Sequence, residues 1–155
     1  MRAMRMHAYG GPDVIRDDRT DLPAPGPGEV LLRVAATSFN PSEAGLRQGL
    51  LRAVVPVVLP YTMGLDVAGT VVAAGPAVRV PAVGDRVAGR LDGGAAVDYA
   101  LAPADVLVRV PAGVALEDAA ALPIAGLTAW QAVVEHAAVT AGQRVLVNGI
   151  GAVGR

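Results

Sequence analysis

Through its first 110 residues the chain rarely runs more than about ten positions without meeting a glycine or a proline, and 155 residues hold 19 Gly and 12 Pro. That spacing leaves no room for long helices and favours short strands joined by turns. Between the turns the apolar residues recur with a period of two. In residues 3–9, Met4, Met6 and Ala8 share one face, and Arg5, His7 and Tyr9 share the other. In residues 29–36 the inward set is Val30, Leu32, Val34 and Ala36. Further strands are predicted over residues 66–74, after the Val83-Gly84-Asp85 turn, over 95–101 behind Gly93-Gly94, and over 106–110 before Pro111. Many short strands at this spacing predict a mostly β fold, a barrel or a sandwich, with short helices.

One helix start interrupts this part. Asn40-Pro41-Ser42-Glu43 offers an N-cap, a proline at the first helical position and an acid three residues after the cap. Gly45 and Gly49 keep that helix short. Glu43 and Arg47, four apart, have the spacing of an intrahelical ion pair.

The pattern changes near residue 115. Residues 116–122 are Ala-rich, with Glu117 and Asp118 where acids suit a helix N-terminus. Pro123 opens a longer helix predicted to reach about residue 138, with Trp130 as a packing anchor. Residues 144–148, Arg-Val-Leu-Val-Asn, read as a buried parallel strand.

Directly after it come Gly149-Ile150-Gly151-Ala152-Val153-Gly154. Gly149, Gly151 and Gly154 have the spacing of a dinucleotide-binding turn. The first allows the tight turn, the second lets the backbone approach a pyrophosphate, and the third lets the next helix pack on the strand. The helix that should follow, and the ribose-contacting residue about 20 positions on, are not in this sequence. The expectation is a truncated nucleotide fold whose glycines form a frayed tail.

Composition closes off several functions. Apolar residues make up 53% and charged residues 17%, so a packed core is expected. The thirteen basic residues are all Arg, scattered, and the net charge is −1. This predicts no nucleic-acid partner and no membrane surface. The longest uncharged run, residues 119–134, is broken by Pro123 and Gly126 and falls short of the about 20 residues of a membrane span. There is no cysteine, hence no disulfide and no thiolate ligand. The N-terminus has no apolar stretch of signal-peptide length, and a cytoplasmic location is expected.

Several segments in order resemble the zinc-independent quinone oxidoreductase branch of the medium-chain dehydrogenase/reductase superfamily. They are Met6-His7-Ala8-Tyr9-Gly10-Gly11-Pro12, Pro25-Gly26-Pro27-Gly28-Glu29-Val30-Leu31-Leu32-Arg33-Val34 and Ser38-Phe39-Asn40-Pro41. Then come Gly64-Leu65-Asp66-Val67-Ala68-Gly69-Thr70-Val71, Val83-Gly84-Asp85-Arg86-Val87-Ala88-Gly89, and the run from Ala119 to Trp130. The resemblance implies a GroES-like β-barrel catalytic domain over residues 1–122. It also implies a linking helix and the first strand and glycine turn of a truncated Rossmann domain over residues 123–155. It implies hydride transfer from NADPH, with NADH as the alternative, to a small-molecule quinone, enone or alkenal. The site would lie in a cleft between the two domains. A homo-oligomer is compatible with it. The other reading of this chain is a non-catalytic GroES-like module unable to bind cofactor alone.

The zinc-dependent relatives hold a catalytic zinc with Cys, His and Cys, and the matching positions here look like Asn40, Leu65 and one near Ile124. These are not zinc donors, so the resemblance implies chemistry without zinc. By the same matching, Asn40 lies near substrate and nicotinamide, where its amide could donate to a carbonyl. Read without the family, it caps the helix. Arg47 is available to an anionic group beside the cleft, and Thr128 brings a hydroxyl to the nicotinamide, unless it bonds back to its own helix. Asp66 is expected to buttress its turn and Tyr61 to line the cleft or pack. His7 and His136 are expected to be structural. The family often has an aromatic two residues after Glu43, and Gly45 in its place implies either a wider pocket or a different substrate. The glycine loop is also one residue shorter than in many relatives.

Overall fold

The computed structural model describes residues 1–154; Arg155, the last residue of the second segment predicted above, lies outside them. Eight strands form two antiparallel sheets. β1 (Arg2–Met6) lies between β2 (Ile15–Arg19) and β4 (Tyr61–Thr62). The second sheet has the order β7-β3-β5-β6-β8, from β3 (Glu29–Ala36), β5 (Asp66–Ala74), β6 (Arg86–Arg90), β7 (Tyr99–Pro103) and β8 (Leu107–Arg109). Three α-helices accompany them: α1 (Pro41–Gln48), α2 (Leu116–Ala119) and α3 (Pro123–Trp130), the last continuing as a π-helical segment, Gln131–His136. None of these helices is long and apolar enough to cross a membrane.

The fold is mostly β with short helices, as the turn spacing predicts, though no continuous ladder closes it into a barrel. The sheets meet instead along residues 95–98. Met4 N–H donates to Ala96 O at 2.8 Å, Asp98 N–H to Arg2 O at 3.1 Å and Val34 N–H to Asp98 O at 3.0 Å. That stretch, predicted as a strand from residue 95, makes a single bridge, Ala3 to Val97, before β7 begins at Tyr99.

The core divides by side-chain parity. Val30, Leu32, Val67, Val71, Val87 and Leu91 fill one face of the larger sheet. Ala68 and Ala88 point the other way and meet Ala119 and Ala120. Side chains this small let α2 lie directly on β5 and β6. Asp66 has the parity of Ala68, so its carboxylate faces the helices. A third cluster, Met6, Leu46 and Met63, packs α1 against the smaller sheet.

Three predicted features differ. Ala3 and Met6 are the buried residues of β1, while Met4 is 42% exposed, because Ala3 bridges to Val97 and shifts the covered face. Residues 144–148 are not a strand: 143–150 carry no regular structure, and Leu146 is 90% exposed, because no neighbouring strand pairs with them among the described residues. Trp130 is 58% exposed and anchors no core, since its face of α3 is uncovered.

Candidate active site

The site starts from a helix that cannot cap itself. Leu122, at the N-cap of α3, has no side-chain acceptor, and Pro123 has no N–H. The first free donor is the Ile124 N–H. It donates at 2.9 Å to Asp66 Oδ1, a carboxylate 58 residues away that supplies the missing cap across space. The other carboxylate oxygen, Oδ2, accepts from the Asn40 amide nitrogen at 2.9 Å and from the Ser38 hydroxyl in a short contact. Thr37 Oγ1 donates to the Asp66 carbonyl at 2.6 Å. Asp66 is 1% exposed, and among the described residues no cation pairs with it. It holds β5, the 37–40 loop and α3 together, rather than buttressing one turn.

Asn40 and Glu43 form the capping box that the sequence predicts. Glu43 Oε2 accepts the Asn40 N–H at 3.2 Å, and Oε1 accepts the Gly64 N–H at 2.8 Å. Glu43 is thus spent on backbone donors. Arg47 instead donates to the Gly10 carbonyl at 2.6 Å. The predicted Glu43–Arg47 ion pair is absent among the described residues, because both side chains are buried against other partners.

Between the start of α1, the inner face of α3 and residues 145–154 lies a cleft of about 900 Å³. Phe39, Ile124, Ala125, Ala129 and Val133 make its walls largely apolar, Asn40, Ser42 and Asn148 are polar, and among the described residues no lining side chain is charged. It brings Asn40 together with Gly149, Gly151 and Gly154. Arg47 lines a smaller hollow of about 220 Å³ with Glu43 and Met63. Thr128 is exposed on α3, and its hydroxyl makes no hydrogen bond among the described residues, to a neighbour or to its own helix. Gly45 faces Leu51, not the cleft, so it does not widen this space. Tyr61 donates to the Asp92 carbonyl at 2.9 Å and lines a separate hollow with Gly93 and Gly94; burial holds its phenol above its ordinary value. His7 Nε2 lies 2.7 Å from Asp18 Oδ2, and His136 is exposed at the end of the π-helical segment.

The glycine turn fits a dinucleotide. Gly149 sits at φ +122°, a conformation that side chains resist. A Cβ on Gly154 would meet Gly149 O at 2.2 Å, so the turn closes on itself there. A Cβ on Gly151 would meet nothing within 4 Å, which leaves open the approach a phosphate needs. Among the described residues, no charged group that would read the ribose lines the cleft. Asn40, Leu65 and Ile124 offer no thiol or imidazole, and among the described residues no three His, Cys, Asp or Glu cluster as a metal site would require.

The sequence reading missed Asp66 as the centre of this arrangement. The available signal was the start of α3: a Leu-Pro with no capping side chain needs an acceptor from elsewhere.

Comparison with known proteins agrees with this architecture. Residues 26–112 match the alcohol dehydrogenase GroES-like domain. Human quinone oxidoreductase is 38% identical over 153 residues, covering 96% of this chain and 45% of that protein. The structure of a mycobacterial quinone oxidoreductase superposes with a TM-score of 0.88 at 36% identity, over 99% of this chain and 47% of the other. The Escherichia coli quinone oxidoreductase complexed with NADPH gives a TM-score of 0.80 at 28% identity, over 86% and 40%. The chain therefore belongs to the GroES-like alcohol dehydrogenase family, in the quinone oxidoreductase branch of the medium-chain dehydrogenase/reductase superfamily. It spans 43–45% of the length of the curated relatives it matches.

Proposed function

We propose that this chain contributes the substrate side of a zinc-free, NADPH-dependent reductase of quinones or related enones and alkenals. The observation that carries the reading is the single cleft holding both Asn40 and the glycine turn. When bound, the dinucleotide would supply the hydride. The chain's own residues do the rest. Gly149 and Gly154 shape the turn, and Gly151 leaves room for the pyrophosphate. Phe39, Ile124 and Val133 give the reacting end an apolar wall, and Asn40 supplies its polar contact. A small planar acceptor such as a quinone suits those apolar walls. Geometry does not draw Arg47 or Thr128 into this group.

NADPH is favoured over NADH by the neighbour complexed with it. A second reading, a GroES-like module that holds no cofactor on its own, is favoured by the exposure of Val145, Leu146 and Val147 on the wall of the cleft. Fluorescence titration of NADPH, with NADH alongside, separates the two. Saturable binding supports the reductase site, and none up to millimolar cofactor supports the module.

A further inference from the structure

We propose that Asn148 is a site of spontaneous deamidation, and that the carboxylate it gains opposes phosphate binding at the glycine turn. The second half rests on the reading of the cleft as a dinucleotide site, and the first half does not. Asn148 is followed by Gly149. An asparagine amide is open to attack by the backbone nitrogen of the next residue. The attack is slowed by a side chain on that residue, by a hydrogen bond on its N–H, and by a backbone held in regular structure. None of these protects Asn148. Gly149 has no Cβ, and one added there would meet nothing within 4 Å. Its N–H makes no hydrogen bond among the described residues. Residues 143–150 carry no regular structure, and Asn148 is exposed. The other asparagine of the chain, Asn40, is the internal contrast. Pro41 follows it, and a proline nitrogen has no hydrogen to lose. The Asn40 amide is also buried and held by Asp66 at 2.9 Å.

In the reaction the Gly149 nitrogen gives its proton to solvent and bonds to Asn148 Cγ. The Cγ–Nδ2 bond breaks, and ammonia leaves with a proton from water. The product is a cyclic imide. Water, the only co-reactant, opens it at either carbonyl. One opening gives aspartate, and the other gives isoaspartate, with the main chain rerouted through Cβ and Cγ. Nothing is oxidised or reduced, and a neutral amide has become an acid that is ionised at neutral pH. Asn148 lines the cleft with Gly149, Gly151 and Gly154, where no lining side chain among the described residues is charged. A fixed negative charge there repels a pyrophosphate, with no cation beside it to offset the repulsion. Isoaspartate also adds a methylene to the main chain just before Gly149, which holds φ +122° at the start of the turn.

The test ages the ligand-free chain at mildly alkaline pH and maps it by mass spectrometry after trypsin, with an unaged sample as background. Cleavage after Arg33, Arg47 and Arg144 puts the two asparagines in separate peptides, 34–47 and 145–155. The 145–155 peptide is expected to gain the mass of NH₂ replaced by OH and to split into aspartate and isoaspartate forms, faster at higher pH. Its rate in the chain should lie within about threefold of that of the same synthetic peptide, while 34–47 stays unchanged. A rate more than about tenfold below the free peptide, or equal conversion of Asn40, overturns the site. Asn148→Gln needs a larger ring and should lose the conversion, and undiminished conversion overturns the imide route. NADPH titration reads the consequence: Asn148→Asp should bind at least about tenfold more weakly than the wild type. Equal affinities overturn the effect on phosphate binding. No NADPH binding to either contradicts the reductase reading and that effect with it, while the mass readout decides the deamidation site by itself.

Discussion

Asp66 Oδ1 accepts the Ile124 N–H at 2.9 Å, and that one bond ties the central strand of the larger sheet to the helix that walls the cleft. Three further donors depend on the same residue. Asp66→Ala would leave the Ile124 N–H, the Ser38 hydroxyl and one Asn40 N–H without their acceptor. The expected loss is about 3 kcal/mol, with Asp66→Asn costing less because its oxygen keeps the Ile124 bond. Urea unfolding of the two variants checks this. A loss under about 1 kcal/mol for the alanine variant would mean that water replaces the carboxylate freely.

Glu43 and Arg47 should behave as independent residues. Glu43→Ala removes the acceptor of the buried Gly64 and Asn40 N–H groups and is expected to cost about 2 kcal/mol. Arg47→Ala loses its bond to Gly10 and its buried stem. A double-mutant cycle should give a coupling energy near zero. A coupling of about 0.5 kcal/mol or more would restore the intrahelical pair that their spacing predicts.

How far the sequence could be read follows from whether a feature is local. The strand at 66–74 appears with the predicted bounds and α1 starts where predicted, because the Gly75-Pro76 stop and Asn-Pro-x-Glu are written within a few residues. The gathering of Asn40 with the three glycines was also legible, but through resemblance and not through periodicity. What local pattern could not show was set by distant partners. Asp66 finds its donors at residues 38, 40 and 124. Arg47 finds Gly10. Residues 144–148 have a strand's composition yet no neighbour to pair with among the described residues, and a ladder needs two strands.

The pH profile has two edges with different causes. Burial chiefly raises the Tyr61 phenol above its ordinary 10.0, with the Glu43 charge adding to it. A raised folded-state value gives stability that is complete below the unfolded value and lost as pH rises through the folded one. Tyr61→Phe should therefore flatten the loss of stability above about pH 10. At the acid edge the Arg2 N–H, at 2.7 Å, and then its guanidinium hold the Asp98 carboxyl below its usual 3.8. That contribution is present above the unfolded value and lost as pH falls through the folded one, so Asp98→Asn should lessen the acid dependence below about pH 4. Thermal melts across pH read both edges. An unchanged alkaline limb in Tyr61→Phe would contradict the first assignment.

The apolar residues near the glycine turn should govern association and not folding. Leu146 is 90% exposed, so Leu146→Gln is expected to change stability by less than about 0.5 kcal/mol. The same variant should reduce concentration-dependent self-association seen by light scattering. A large loss of stability would mean that this segment is packed in solution.

The central claim, that Asn40 and the glycine turn form one nucleotide site, is tested most directly by NADPH titration of the chain beside Gly151→Val. A Cβ at residue 151 meets no atom within 4 Å, so the variant should fold as the wild type does. The account predicts saturable binding to the wild type and at least about a tenfold weaker affinity in the variant, equivalent to about 1.4 kcal/mol. Equal affinities in the two, or no binding to either, would contradict it.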